Sequence, residues 1–289
     1  MTVLLSIFFT CLFYSQLIKD GIKNGLILLS DQVIPALYPF VLLSSIIKQN
    51  YSFSNSYFLI GISFLSGYPL GAKIIVEHDF SDIPLSSQEL LLLCNNPSLP
   101  YLICYIGPQC LDNPFYGILI YFCIIIGNII YVCLHHFIYK LHGSNNKQHI
   151  LTICEKSKNK TANLFHDCFS TLLNISNYIL IFSICASIIN SIVFIPHFLR
   201  KILIGILEIT TGAYHISLLN INTSSKITIL TGIIAFGGMS VIFQTYEMIQ
   251  NSKLSIKKYM TEKAISSLIA MSVMYGIKLL LQLWKISQY

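Results

Sequence analysis

Charge is scarce in this chain. Of its 289 residues only 10% are Asp, Glu, Lys or Arg, against about 25% in an average soluble domain. That is too little to clothe a water-soluble protein of this length, so a soluble globular fold is excluded. The net charge of +6 is scattered between apolar runs and forms no basic tract, which argues against nucleic acid as a partner. A Cys-x-x-Cys pair is also missing. The nine cysteines, among them Cys11, Cys94, Cys104, Cys123, Cys133 and Cys185, lie mostly within apolar runs and read as small packing residues. Neither a metal nor a cofactor is expected. No G-x-x-x-x-G-K-[ST] loop occurs, so no ATPase or GTPase engine is encoded. No Ser/His/Asp spacing suggests catalysis, and the chain is not expected to be an enzyme.

Apolar residues fill the space. They make up 54% of the chain, and the mean hydropathy is +0.69. Apolar segments fall at about 2–18, 25–48, 57–76, 87–107, 115–137, 171–195, 199–219, 227–249 and 261–284. The first has no basic residue before it and no small-residue cleavage site after it, so it reads as a span or signal anchor. The class is all-α, a polytopic membrane protein. The hydrophilic stretch 138–165 divides it, giving an N-terminal span and loop 1–24, a first repeat 25–137, a basic cytoplasmic linker 138–165 and a second repeat 166–289.

Several apolar segments carry residues that interrupt a helix. Segment 57–76 contains Ser66-Gly67-Tyr68-Pro69-Leu70-Gly71, followed by Lys73. Two glycines and a proline in six residues do not favour a continuous helix, and in lipid a break needs protein or a watery cavity around it. Segment 87–107 contains Cys94-Asn95-Asn96-Pro97-Ser98-Leu99-Pro100. Each Asn offers donors and an acceptor to a heteroaromatic or carboxylate ligand, or else a bond to another helix. Segment 199–219 holds Glu208-Ile209-Thr210-Thr211-Gly212, and an intramembrane carboxylate is a functional candidate by default. Segment 227–249 carries Phe236-Gly237-Gly238-Met239-Ser240 and then Gln244. Two interruptions in each half point to discontinuous helices around a mid-membrane site, the design of secondary transporters.

Segments 25–48, with Asp31, Gln32, Pro35 and Pro39, and 171–195, with Asn174, Ser176 and Asn177, are expected to be re-entrant hairpins. The pairs Phe40/Phe182, Ser45/Ser187, Ile46/Ile188 and Ile47/Ile189 hint at a repeat. This gives about seven full spans plus two re-entrant hairpins, arranged as an inverted repeat with discontinuous helices. With the N-terminus inside, the loops after 76, 137, 195 and 249 would be cytoplasmic. These loops would collect 12 of the 18 basic residues, including Arg200, Lys201, Lys253, Lys257 and Lys258.

SGYPLGAK at 66–73, CNN at 94–96, LEITTGA at 207–213 and FGGMSV at 236–241 resemble the sporulation integral membrane protein family YlbJ, which carries the nucleoside-recognition Gate domain. The resemblance implies a multi-pass protein of the bacterial cell membrane with transporter-like gates. It implies passage of a small anionic or heteroaromatic solute, dipicolinate- or nucleoside-like, in spore formation. It carries over to Ser66, Gly67, Tyr68, Pro69, Gly71, Asn95, Asn96, Thr210, Thr211, Gly212, Gly237, Gly238 and Ser240 as substrate-binding residues, with Glu208 and Lys73 in coupling or gating. Pro97 and Ser98 stand where that family has Ser-Gly, and Ile242 where it tends to have His. The expected partners are a small-molecule solute and the lipid bilayer, with a homo-oligomer left open. The competing reading is a non-transporting membrane scaffold for spore cortex assembly that docks partners through the basic linker.

Overall fold

The chain is described by a computed structural model covering residues 14–35, 38, 39, 41, 42, 55–141 and 164–286. No strand occurs among the described residues. Twelve helices are used below: α1 Ser15–Leu28, α2 Ser56–Ser66, α3 Leu70–Glu77, α4 Ser87–Cys94, α5 Leu99–Tyr101, α6 Pro114–Leu141, α7 Leu164–Ser191, α8 His197–Leu207, α9 Ile209–Ser217, α10 Thr223–Phe236, α11 Gly238–Ile249 and α12 Ile256–Ile286. α5 runs on into a π-helical stretch, Leu102–Cys110, and α1 into a π-helical turn, Leu29–Val33.

Among the described residues, five segments are long and apolar enough to cross a membrane: Ser87–Cys110, Pro114–Ile138, Cys168–Ser191, Thr223–Ile249 and Ile256–Leu280. The first contains the gap between α4 and α5, and the fourth the gap between α10 and α11. The all-helical, membrane-spanning class therefore holds.

Two shorter pairs fold back on themselves. In the first, Ser56 Oγ at the start of α2 reaches Asp79 O at 3.4 Å and bonds to the Asp82 carboxylate, both just beyond α3. The 11-residue and 8-residue arms are about 16 and 12 Å long, short of the roughly 30 Å of a bilayer core. In the second, a Cβ on Gly212 of α9 would lie 2.1 Å from Gly205 Cα of α8, and Lys201 Nζ lies 3.2 Å from His215 Nδ1. Residues 205 and 212 touch only if the chain reverses at Glu208. Segments 57–76 and 199–219, read from sequence as crossings, are hairpins I and II.

Of the two segments expected to be hairpins, one is a continuous helix and the other is described only in part. Segment 171–195 lies mainly in the unbroken 28-residue α7. Its polar residues are satisfied without a break: Ser176 Oγ donates to Leu172 O at 2.8 Å, and Asn174 Nδ2 to Glu247 Oε1 at 2.7 Å. Of segment 25–48, whose tip was expected near Asp31–Pro39, residues 29–35 carry α1 onward in helical geometry, and residues 36, 37, 40 and 43–48 lie outside the described residues. The loop expected near 19–24 is the middle of α1. There Gly21 and Gly25 let α1 press on α7, with Ile184 Cα 2.7 Å from where a Gly21 Cβ would sit. Close approach through small residues is how helices associate in lipid, where apolar burial gives little drive. The long helices α6 and α12 cross in the same way at Gly127 and Ala270. Residues 2–13 of the expected span 2–18 and most of the linker 138–165 fall outside the described residues, while residues 15–18 open α1 and run on without a loop.

The element order repeats. α1, hairpin I, the α4/α5 segment and α6 are followed by α7, hairpin II, the α10/α11 segment and α12. Gln88 bonds to Ser255 O and Ser255 N, and Glu89 to His135 and His136, so loops 78–86 and 250–255 and the finish of α6 share one end. α7 runs away from that end, so the base of hairpin II lies at the other. Arg200 and Lys201 are therefore opposite Lys253, Lys257 and Lys258, not beside them as expected from sequence.

Candidate functional site

The site is built from four chain interruptions. At the tip of hairpin I, Gly67 has φ 77° and a Cβ there would lie 2.6 Å from Ser98 N, so only glycine fits. The Tyr68–Pro69 bond is cis. Tyr68 N donates to Asn96 O at 2.7 Å, tying this tip to the α4/α5 gap. In that gap Ser98 caps α5 by accepting from Tyr101 N at 3.3 Å. At the tip of hairpin II, Glu208 is extended and caps α9: its carboxylate accepts from Thr210 N at 3.0 Å and Thr211 N at 2.6 Å. A buried carboxylate at a helix N-terminus is matched by amide donors and the dipole instead of a basic side chain. Between α10 and α11, Gly237 and Gly238 have φ 88° and 73°, and no side chain caps α11. Ser240 and Gln244 lie one turn apart beyond them, Gln244 Nε2 donating to Ser240 Oγ at 3.1 Å.

All four meet around one cavity of about 60 Å³. Tyr68 comes from hairpin I, Ser98 and Tyr101 from the α4/α5 segment, Glu208, Ile209 and Thr210 from hairpin II, and Ser240, Val241 and Gln244 from α11. Val33, Ile175 and Ile179 complete the wall from the α1–α7 pair. Tyr101 OH donates to Thr210 Oγ1 at 3.3 Å, joining the two halves across the cavity. Among the described residues, the buried Tyr68 OH has no hydrogen-bond partner, nor has Thr211 Oγ1. Glu208 is the one ionisable carboxyl in the lining, and no Lys, Arg or His lines it among the described residues.

The residues singled out from sequence divide into three groups. Tyr68, Glu208, Thr210 and Ser240 line the cavity. Ser66, Gly67, Pro69, Gly71, Thr211, Gly212, Gly237 and Gly238 shape the tips and gaps beside it. Ser66 Oγ turns back to Ile62 O at 2.8 Å, and a Gly71 Cβ would sit 2.2 Å from Cys94 O, where α3 meets the end of α4. Asn95, Asn96 and Lys73 face away. Asn95 Nδ2 donates to Thr245 Oγ1 at 2.9 Å and Tyr259 OH at 2.8 Å, and its Oδ1 accepts from Ala72 N at 3.3 Å. Asn96 Oδ1 accepts from Lys263 Nζ at 2.9 Å and Asn128 Nδ2 at 2.8 Å, while its Nδ2 donates to Leu93 O. Both amides are braces within the protein. Lys73 Nζ donates to Thr171 Oγ1 of α7 at 3.1 Å.

Sequence reasoning missed Ser98, Tyr101 and Gln244 as lining residues and Lys263 as a buried cation. Ser98 and Gln244 stand within or just past the interruptions, and that proximity was the available signal. Nothing in the pattern around Tyr101 or Lys263 separated them from ordinary span residues. No protein-family model, curated protein or solved structure matches the chain.

Proposed function

We propose that the chain is a secondary carrier or facilitator for a small solute, which binds where the two hairpin tips meet the two helix gaps. The observation that carries the reading is this convergence around a cavity holding an unpartnered tyrosine hydroxyl. A buried hydroxyl without a partner is destabilising, and a ligand group that bonds to it removes the deficit. Discontinuous elements meeting at mid-depth are the usual solute site of carriers built from inverted repeats.

In this reading hairpins I and II are re-entrant, and α1, the α4/α5 segment and α6 are repeated upside down by α7, the α10/α11 segment and α12. Three crossings separate the hairpins, so they open from opposite faces, each able to gate one side. Lys253, Lys257 and Lys258 stand at the end of the molecule where α6 finishes, and the basic stretch 138–165 follows α6 in the sequence, so this reading takes that end as cytoplasmic. The cavity is smaller than the roughly 150 Å³ that accepts benzene, so a ring-sized solute enters only when the tips part. Its apolar walls, two tyrosines and single carboxylate suit a heteroaromatic solute with hydrogen-bond donors better than a dianion such as dipicolinate. A role in spore formation in a bacterial cell membrane rests on the YlbJ resemblance of the four motifs.

The test is uptake of radiolabelled uridine and dipicolinate into vesicles containing the purified chain. Wild type is expected to move one of them, with Glu208→Gln and Tyr68→Phe at least about tenfold slower. Equal flux in all three proteins removes the site, and no flux of either solute by wild type removes this substrate class.

A further inference from the structure

Discontinuous helices in secondary carriers commonly present their carbonyl ends to a coupling cation, most often sodium. In this chain α4 ends at Cys94, at the edge of the first gap. Its last free carbonyls are met by amides: Asn128 Nδ2 donates to Leu92 O at 3.4 Å and Asn96 Nδ2 to Leu93 O. The cation at this helix end is already part of the protein. Lys263 Nζ, on α12, donates to Asn96 Oδ1 at 2.9 Å and lies 5.9 Å from the centre of the Tyr259 ring. Lys263 is only 1% exposed. Among the described residues its ammonium forms no ion pair with a carboxylate; the neighbouring Glu262 carboxylate faces Lys258 Nζ at 3.8 Å and Gln88 Nε2 at 3.4 Å, and Glu89 faces His135 and His136.

A buried ammonium without a carboxylate is expensive unless oxygens and a helix carbonyl end face it. Here the acceptor bonded to it among the described residues is the Asn96 amide oxygen, just past the carbonyl end of α4, a counterpart of Glu208, the buried anion at the amide end of α9. The position is mechanically connected to the cavity: Asn96, which the ammonium holds through its side chain, accepts Tyr68 N–H through its main chain at 2.7 Å. Whatever charge sits beside Asn96 therefore sets the junction between hairpin I and the α4/α5 gap.

We propose that Lys263 is a tethered cation standing where a coupling ion would otherwise bind, so that the carrier works without sodium. This rests on the carrier reading above. A mobile sodium ion would have to share Asn96 Oδ1 with a fixed ammonium, and like charges at that separation repel.

The experiment is thermal unfolding of the purified full chain in sodium chloride and in equimolar choline chloride. Wild type is expected to unfold at the same temperature in both. Lys263→Ala removes the tethered charge and leaves space at Asn96 Oδ1, so sodium is expected to raise its midpoint by at least about 2 °C over choline. Lys263→Gln, which keeps most of the stem, is measured beside it in case the alanine protein does not fold. Lys263→Arg keeps a fixed charge and is expected to stay indifferent. Stabilisation of wild type by sodium, or indifference of both Lys263→Ala and Lys263→Gln, overturns the proposal. The failures separate: a protein with the expected ion pattern that moves no solute loses the carrier reading alone. One that moves solute while sodium stabilises wild type loses the tethered cation alone.

Discussion

Asn95→Ala distinguishes a brace from a ligand-binding residue. The Asn95 side chain is fully buried and makes three internal hydrogen bonds, to Ala72 N, Thr245 Oγ1 and Tyr259 OH. Thr245 also donates to Val241 O and Tyr259 OH reaches Asn95 O at 3.4 Å, so those hydroxyls keep one partner each after truncation. The Ala72 amide loses the side-chain acceptor recorded for it. Three lost bonds at about 1 kcal/mol each, with one donor stranded, give a loss of roughly 3 kcal/mol. For a chain of this size that lowers the unfolding midpoint by about 5 °C. The assay is thermal unfolding in detergent or nanodiscs, with vesicle flux measured well below the midpoint. The account expects a large stability loss and solute affinity within about threefold of wild type. Unchanged stability with affinity lost more than about tenfold would refute the reasoning, because Asn95 would then be reaching the solute.

The remaining predictions concern the cavity and the topology. Tyr68→Phe removes a hydroxyl that has no partner, so the empty protein is expected to unfold at the same or a slightly higher temperature while solute flux falls at least about tenfold; a clear loss of stability would show a missed partner. Gly212→Val places side-chain atoms where Gly205 Cα already lies 2.1 Å from a Cβ, so hairpin II cannot close and the protein is expected to be degraded or to aggregate on expression; a monodisperse variant with wild-type unfolding contradicts the fold-back. Single cysteines at Ser81 and Asn251, introduced after removal of the native thiols, are expected to react with an impermeant maleimide from one side of the membrane, and a cysteine at Asn220 from the other. Labelling of all three from one side contradicts the opposed hairpins.

The interruptions themselves were legible. Gly67 with Pro69, Asn95 to Pro97, Glu208, and Gly237 with Gly238 are unusual inside apolar runs, and each marks a gap between helices. Which segments reverse was not legible. A run such as 57–76 has the length of a crossing, and only the contacts of Ser56 with Asp79 and Asp82 show that its ends lie together. The opposite error occurred at 171–195, where Asn174 and Ser176 looked like a turn. Their side chains are satisfied by Glu247 and by the preceding helical turn, so the helix continues through them. Asn95 and Asn96 show a third limit. Residue type and depth marked them as polar and important, but spacing could not tell that Thr245, Tyr259, Asn128 and Lys263 would claim their bonding groups.

Single cysteines at Ser98 and Ser240 probe the two gaps from opposite halves of the chain, since both positions line the cavity. Reaction rates with a small membrane-permeant maleimide are compared with and without saturating amounts of the solute found to be transported in vesicles. If one solute occupies the meeting point of tips and gaps, it slows labelling at both positions together. Transport that proceeds while neither cysteine is shielded would place the solute elsewhere and contradict the account.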